Sequence, residues 1–208
     1  WATCSPISPS RARPPPPLML RLARAYDAAG DDPAERAFAR IATAAGKYWV
    51  CKRAPSMIYE AMECLGGNGY VEESGMPRLY REAPVNAIWE GSGNVICLDV
   101  LRAMVREPDT VPALLDEVRR ARGGDRRLDA ATDELEHWLA SPAHAELRAR
   151  RIVERMALVL QGSLLVRHAP AYVADAFCAH RLGEEGALAF GTLPPEADCA
   201  AIVARALP

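Results

Sequence analysis

A glutamate between two bulky apolar residues and a glycine-rich turn is the best candidate for chemistry in this sequence. Glu90 follows Ile88 and Trp89 and precedes the run Gly91-Ser92-Gly93-Asn94. Apolar surroundings raise the pKa of a carboxyl group, whereas a helix start beside it lowers the pKa. A carboxylate that can be tuned in either direction suits a general base. The alternative, which the spacing alone favours, is a solvated glutamate at a helix cap.

Two glycine-rich turns could let a ligand approach the backbone closely. The first is Gly66-Gly67-Asn68-Gly69-Tyr70, and the second is Gly91-Ser92-Gly93-Asn94. The first is not a dinucleotide fingerprint, because it follows a helical pattern instead of a strand and Glu72 stands where the third glycine is needed. The second lies at a predicted helix start, where free N–H groups and polar side chains can donate hydrogen bonds. We therefore predict a ligand site in the irregular segment 66–94.

Composition and spacing argue against several other classes of protein. The six cysteines contain no CxxC pair, which is typical of buried thiols in a cytosolic protein, and the four histidines lack HxxxH spacing. We expect no metal site. The longest apolar run is too short for a bilayer and no signal peptide is visible, so we expect a cytoplasmic protein without a membrane segment. The net charge of −2 excludes a strongly basic nucleic-acid-binding chain.

The elements that must position these residues are predicted to be helices throughout. Half of the residues are hydrophobic and only 6% are aromatic, which argues against a sandwich or barrel. Asp32-Pro33-Ala34-Glu35 starts a long helix that ends at Gly66-Gly67, with a kink expected at Pro55. Further helices are predicted over 18–29, from Val95 to Glu107, across Leu128–Leu139, from Ser141-Pro142, after Pro170 and from Pro194-Pro195-Glu196.

We divide the chain into three parts. Residues 1–17 are expected to be a disordered or non-native tail, since they contain the run Pro14–Pro17. Residues 18–108 and 109–208 are expected to form two helical units, separated at Glu107-Pro108-Asp109. The sequence does not begin with Met, and we expect it to be a fragment of a longer protein.

Three runs in the segment 60–92 resemble the C-terminal signature of the acyl-CoA dehydrogenases. The family pattern is Q-x-x-G-G-x-G-Y, then R-x-x-R-D, then I-Y-E-G-T. The corresponding residues are Glu63 to Tyr70, Arg78 to Glu82, and Ile88 to Ser92. The departures at Glu63, Glu82, Trp89 and Ser92, with Cys51-Lys52-Arg53 upstream and Cys97 to Arg102 downstream, are similar to the alkylation-response branch of that family. The resemblance is specific over 21–104 and weaker beyond.

The resemblance implies a fold and a reaction. Residues 18–108 would be part of the family's C-terminal helical bundle, and residues 109–208 the extra helical domain of this branch. The family oxidises acyl-CoA thioesters with FAD: a glutamate removes the α-proton while the β-hydrogen passes to the flavin as hydride. Glu90 matches that base. The family's N-terminal helical domain and β-barrel are missing from this sequence, so we expect the fragment alone to be inactive.

The resemblance also implies cofactor contacts and an assembly. Gly91, Ser92 and Asn94 match the stretch packed against the subunit's own FAD. The loop that reaches the FAD of a neighbouring subunit is matched by Glu63, Gly66 and Gly67. A homo-oligomer is therefore expected, a tetramer by family resemblance.

Two groups of arginines in residues 109–208 raise a second hypothesis. Arginine suits phosphate contacts, and the branch's role in protecting DNA from alkylation implies double-stranded DNA as a ligand. The competing function is thus a non-enzymatic DNA-binding or assembly module that uses the bundle as scaffold. However, this part carries 12 arginines against 15 acidic residues, which favours a solvated face. The first group, the candidate DNA contacts, is Arg119, Arg120, Arg122, Arg126 and Arg127, and the second is Arg148, Arg150, Arg151 and Arg155.

Overall fold

The computed structural model describes residues 15–141, 145–183 and 190–206, and within these ranges it contains ten α-helices and no strand. The predicted all-α fold is confirmed. Short 3₁₀ turns lie at Glu72–Ser74, Ala83–Ala87 and Glu146–Arg148. The helices are α1 (Pro15–Ala28), α2 (Pro33–Cys64), α3 (Gly67–Tyr70), α4 (Met76–Glu82), α5 (Gly93–Arg106), α6 (Thr110–Arg119), α7 (Arg126–Ala140), α8 (Ala149–His168), α9 (Ala171–Arg181) and α10 (Cys199–Ala206).

The longest helix, α2, starts and stops where the sequence indicates. An Asp32 carboxylate oxygen accepts hydrogen bonds from the backbone N–H groups of Ala34 (2.8 Å) and Glu35 (3.2 Å), and Pro33 occupies the first turn. The helix continues through Pro55 for 32 residues. It ends before Gly66, whose φ of 59° takes the chain into the left-handed region that favours glycine.

The two halves of α2 lie in different surroundings. Every fully buried residue of this helix lies between Phe38 and Trp49. The second half carries no fully buried residue. As a whole, the helix packs against α1, α5, α6 and α8 and against the short elements that follow it, α3, α4 and the turn Ala83–Ala87. We call residues 50–92 the arm; only Gly69, Pro77 and Ala83 are buried in it.

One hydrophobic cluster joins the helices before and after residue 108. Phe38 and Cys97 belong to the same cluster as Leu114, Met156 and Leu160. Helix α8 is the centre of this core, because its residues from Met156 to Leu165 are all buried. The division into two domains at residue 108 stays a prediction, but the described residues on its two sides share one core.

Several predicted boundaries differ from the observed ones. Residues 15–17 belong to the first turn of α1, and residues 1–14 of the predicted tail lie outside the described part. Helix α8 starts at Ala149 and not at Ser141-Pro142, since a 3₁₀ turn precedes it; residues 142–144 lie outside the described ranges. The last helix starts after Asp198, whose carboxylate accepts from the Ala201 N–H (2.9 Å) and so caps it in place of the preceding prolines.

A buried carboxylate ties four of the helices together. Glu117 on α6 is 1% exposed and pairs with Arg21 of α1 (3.0 Å) and Arg167 of α8 (2.7 Å). Arg120, directly after the end of α6, also pairs with Glu117, and Arg21 also binds Glu35 of α2 (2.7 Å). Burial acts to raise the pKa of Glu117, but the Arg167 hydrogen bond and the Arg21 charge outweigh it and hold the pKa below its usual range. The ionised network thus fixes how the helices meet.

Candidate functional site

The arm leaves the core along α2 and returns through short elements to the start of α5. Gly66 makes the reversal with its positive φ. Gly69 is buried against the Met62 carbonyl, so closely that a Cβ at this position would overlap the backbone. These two glycines are therefore required by the turn itself, independently of any ligand. On the return path, Arg81 pairs with Glu72 through two hydrogen bonds of 2.8 and 2.9 Å, which closes the loop on its exposed side.

Glu90 lies at the end of the arm in an unusual backbone conformation. Its φ of 54° is the only positive φ of a non-glycine residue in the part of the chain that the structure describes. A non-glycine residue in this region costs about 1–2 kcal/mol, and such strain is concentrated at functional sites. The Ile88 and Trp89 N–H groups both donate to the Val85 carbonyl (2.9 and 3.1 Å), and the Glu90 side chain is exposed. The carboxylate therefore projects from a fixed, strained turn.

Lys47 holds this turn from the buried half of α2. Its ammonium group donates to the carbonyl of Trp89 (2.8 Å) and to the carbonyl of Gly91 (2.9 Å), the two residues that flank Glu90. Sequence reasoning missed Lys47. The composition offered a signal, because the chain has only two lysines among 25 basic residues. Lys47 lies just before the arm, and Lys52 lies near its start.

The start of α5 follows Glu90 directly. Gly91 (φ 106°) leaves no room for a side chain without moving Ile96, whose Cγ1 would lie 3.2 Å from a Cβ there. Ser92 is the N-cap residue, but its side chain makes no capping hydrogen bond. The N–H groups of the first turn are thus left available, as at any uncapped helix start. Asn94 lies in this turn, and its side-chain oxygen accepts from Arg150 of α8 (3.3 Å).

The other predicted cofactor residues lie elsewhere on the arm. Glu63, Gly66 and Gly67 are all exposed at the end of α2. Lys47 and Glu63 are 16 residues apart on one helix, and a rise of about 1.5 Å per residue separates them by about 24 Å. The structure therefore brings Glu90, Gly91, Ser92 and Asn94 together in one turn, and places the Glu63–Gly67 group at the far end of the arm. There the Tyr59 hydroxyl is hydrogen-bonded to Glu63, which raises the pKa of Tyr59.

The arm carries an extensive exposed apolar surface. Ile88 and Trp89, next to Glu90, are 65% and 58% exposed. Exposed apolar surface on this scale marks a region that contacts a ligand or another protein surface. Ten large hydrophobic side chains of the arm are exposed: Val50, Tyr59, Leu65, Tyr70, Val71, Leu79, Tyr80, Val85, Ile88 and Trp89.

Most of the arginines proposed for DNA are engaged by carboxylates. Within the described residues, four of the five form ion pairs, and Arg126 is exposed. The pairs are Arg119 with Glu136 (2.9 Å) and Asp116 (3.5 Å), Arg120 with Glu117 (3.1 Å), Arg122 with Asp133 (2.6 Å), and Arg127 with Asp125 and Asp175 (2.6 Å each). In the second group, Arg155 pairs with Glu134 (2.7 Å), and Arg151 stacks on Trp138. The positive charge on this face is largely balanced locally.

The described ranges of the chain contain no cluster of three or more His, Cys, Asp or Glu side chains that could hold a metal ion. They also contain no helix that is long and apolar enough to span a membrane.

The arm lies within a segment that matches a known protein family. Residues 17–105 match the family model of the acyl-CoA dehydrogenase C-terminal domain. The match includes all of the arm and most of α5. It therefore contains every predicted catalytic and cofactor residue.

Curated relatives are similar over more of the chain. The putative acyl-CoA dehydrogenase AidB of Escherichia coli K12 is 43% identical over 169 residues, which are 81% of this chain and 31% of that protein. Acyl-CoA dehydrogenase family member 11 of Caenorhabditis elegans is 30% identical over 168 residues, 72% of this chain and 27% of its own length. The chain thus spans about a third of these relatives.

A solved structure has the same fold. The crystal structure of Caenorhabditis elegans ACDH-11 in complex with C11-CoA superposes with a TM-score of 0.76 at 26% identity. The superposition covers 88% of this chain and 36% of that one. The shared fold therefore extends beyond the family match, into the helices after residue 108.

Proposed function

Since the chain belongs to the acyl-CoA dehydrogenase family through residues 17–105 and is similar to AidB, we propose that it provides a general base and one wall of a flavin pocket. The whole protein would be an FAD-dependent, acyl-CoA dehydrogenase-like oxidoreductase of the DNA-alkylation-response type. The observation that carries the proposal is Glu90. An exposed carboxylate is held in a strained turn between an apolar pair and a helix start. This is the position of the family's base in the sequence motif.

The chemistry of Glu90 follows from its surroundings. Its carboxylate takes the proton from the α-carbon of an acyl thioester, and the backbone on both sides is fixed so that the carboxylate need not be ordered during the reaction. The exposed apolar side chains of Ile88 and Trp89 offer contacts to an acyl chain, and a chain bound there would exclude water from the carboxylate. FAD, when bound, supplies the acceptor for the β-hydrogen.

The residues after Glu90 fit a flavin. Gly91 and Gly93 have no side chains, and the uncapped N–H groups at the start of α5 suit carbonyl or phosphate oxygens of a ligand. A Cβ at Gly93 would approach Tyr48 to 3.3 Å, so this surface is also closely packed from behind. Gly91, Ser92 and Asn94 would hold the subunit's own FAD.

The far end of the arm is proposed to contact another subunit. Glu63, Gly66 and Gly67 are exposed on a turn whose neighbours Leu65, Tyr70 and Val71 are exposed as well. A polar turn surrounded by apolar side chains suits an interface with a neighbouring subunit and its FAD. Homo-oligomerisation, with a tetramer as the expected form, and a cytoplasmic location are parts of this proposal.

The thioester is the part of the proposal that a neighbour supports. The structure of ACDH-11 contains C11-CoA, and 88% of the present chain superposes on it. We therefore propose an acyl-CoA thioester as the substrate class, and C11-CoA as the probe with which to test it.

The alternative, a non-enzymatic DNA-binding or assembly module, stays a prediction. Its candidate contacts are the five arginines of α6 and α7 and the loop that joins them. Four of them are already paired with acidic side chains, so binding to phosphate would have to break those pairs. The arrangement favours the oxidoreductase.

The test is the replacement Glu90→Gln in the full-length protein. Glutamine keeps the shape of the side chain but cannot accept the proton, so exchange of the α-protons of C11-CoA with D₂O should fall by roughly 10²- to 10⁴-fold. Flavin content should be unchanged. The matched control is Glu73→Gln, an exposed glutamate of the same arm, which should exchange at the wild-type rate. Equal exchange in the wild type and Glu90→Gln would contradict the assignment.

A further inference from the structure

We propose that Lys47 is a positioning residue for Glu90: its ammonium group fixes the turn that carries the carboxylate, and the rate of proton abstraction depends on it. The inference rests on the proposed function of Glu90. The inference adds a second residue to the proposed site. Lys47 lies on helix α2, 43 positions before Glu90, and belongs to none of the sequence motifs.

The contacts of Lys47 are made to the backbone on both sides of Glu90. One nitrogen atom donates to the carbonyl before the glutamate (2.8 Å) and to the carbonyl after it (2.9 Å). Charged donors make stronger hydrogen bonds than neutral ones. Two such bonds from one atom fix the relative orientation of the two peptide groups, and therefore the direction in which the side chain between them leaves the backbone.

The turn needs an external support because its own conformation is unfavourable. Glu90 (φ 54°) and Gly91 (φ 106°) have successive positive φ angles, and only the second is a glycine. A strained residue keeps its conformation only when surrounding contacts hold it there. Lys47 supplies such contacts from a rigid base, because its neighbours Ala45, Gly46, Tyr48 and Trp49 are buried in α2.

The residue type also fits this role. An ammonium group is compact and carries three donors on one atom, so it can bind two carbonyls that converge on a point. Arginine spreads its donors over a planar fork and is suited to carboxylates and phosphates. In a chain where all but two of the 25 basic residues are arginine, a lysine occupies the position that binds two carbonyls. Within the described residues, no ion pair of Lys47 is observed, so its ammonium is used for the turn.

Two residues near Lys47 on α2, Cys51 and Lys52, do not share its role. Cys51 lies one helical turn beyond Lys47; burial raises the pKa of its thiol and the Lys47 charge opposes this, so the thiol does not provide a competing anion. Lys52 lies five residues beyond Lys47 on the same helix and is exposed. Its stem packs beside Gly93, with Cδ 3.8 Å from where a Cβ would stand there, and methionine keeps that stem. The hydrogen bonds to the carbonyls of Trp89 and Gly91 come from Lys47, so Lys52→Met removes a nearby ammonium group without removing them and serves as the matched control.

The experiment compares Lys47→Met, Lys47→Arg and Lys52→Met in the full-length protein. Methionine keeps the length of the stem and removes the donors. At saturating C11-CoA, Lys47→Met should slow α-proton exchange by roughly 10- to 100-fold, the size expected for a misplaced reacting group. Lys47→Arg should recover part of that loss and Lys52→Met should equal the wild type. Flavin content and the half-saturating concentration of C11-CoA should change little, because the residue does not touch substrate.

A second readout does not depend on Glu90 being a base. Amide hydrogen exchange of residues 88–92 should be faster in Lys47→Met than in Lys52→Met or the wild type, while α8 stays protected in all three. If Glu90→Gln keeps the wild-type rate of proton exchange, the proposed function fails, and the amide exchange alone decides about Lys47. Wild-type amide exchange at 88–92 in Lys47→Met would overturn the inference. So would a wild-type proton-exchange rate in that variant while Glu90→Gln is impaired.

Discussion

The arm and the helices that follow it differ in how they use apolar surface. The arm, residues 50–92, buries only three residues and exposes ten large hydrophobic side chains. In the described ranges between 109 and 206, the one large hydrophobic side chain that is exposed is Leu147. The later helices therefore bury nearly all of their large hydrophobic side chains in the shared core. The exposed apolar surface of the arm is where we propose that a cofactor, a substrate or another subunit binds.

The same contrast holds for charge. Among the described residues after 109, Glu117 is 1% exposed and is paired with Arg21, Arg120 and Arg167. On the arm the pair Arg81–Glu72 is exposed, at 60% and 68%. Pairs of the first kind hold helices in place, whereas exposed pairs contribute little. The comparison indicates that stability is concentrated in the bundle, and it supports the proposal that the chemistry lies on the arm.

The largest effect on stability is expected at Glu117. Glutamine there removes the negative charge that Arg21, Arg120 and Arg167 share. It leaves the largely buried Arg167 without an ion-pair partner and Arg21 with Glu35 alone, which should cost about 3–5 kcal/mol in the free energy of unfolding. Chemical denaturation of Glu117→Gln measures the loss. The matched control on the arm is Glu72→Gln, which should leave the unfolding midpoint nearly unchanged. Equal losses in the two variants would contradict the comparison.

Acid should remove the stabilisation that the ionised Glu117 carboxylate provides. The pKa of Glu117 is lowered in the folded protein, so the stabilisation is complete above the ordinary carboxyl value of 4.5 and is lost as the pH falls through the folded-state pKa. The difference in stability between the wild type and Glu117→Gln should therefore shrink below pH 4.5. A difference that is constant between pH 3 and pH 7 would show that the charge is not the cause.

A pair of leucines tests the contrast in burial with a smaller effect. Leu135 on α7 is fully buried, and its replacement by alanine should cost about 2–5 kcal/mol. Leu79 on the arm is 54% exposed, and Leu79→Ala should change the unfolding free energy by less than about 0.5 kcal/mol. Instead, Leu79→Ala should weaken flavin retention or subunit association in the full-length protein. A stability loss at Leu79 as large as that at Leu135 would mean that the arm has a core of its own.

Much of the fold could be predicted from local signals. The start of α2 was predicted because Asp32, Pro33 and Glu35 form a local capping pattern, and its end because Gly66 supplies a positive φ. The predicted starts of α8 and α10 were wrong because a proline is compatible with a helix start but does not fix one. A 3₁₀ turn precedes α8, and Asp198 caps α10. Both boundaries are set by local contacts that the position of a proline does not indicate.

The candidate site stays a prediction, and only part of its arrangement could be predicted from a local pattern. Glu90 and the residues after it form one continuous run, so a motif could identify them together. Lys47 was missed because its role arises only when α2 and the arm's return path meet, which no local pattern encodes. The separation of Glu63 from Glu90 along the arm likewise follows from the length of one helix.

The most direct test of the division between arm and bundle is a hydrogen-exchange map of the full-length protein with two additions, C11-CoA and duplex DNA. Slower exchange with C11-CoA is expected at residues 88–96, at the Glu90 turn and the start of α5, with no change over 110–140. Duplex DNA is expected to leave both regions unchanged. Protection of 110–140 by DNA, with no effect of C11-CoA at 88–96, would contradict the account and favour the DNA-binding module.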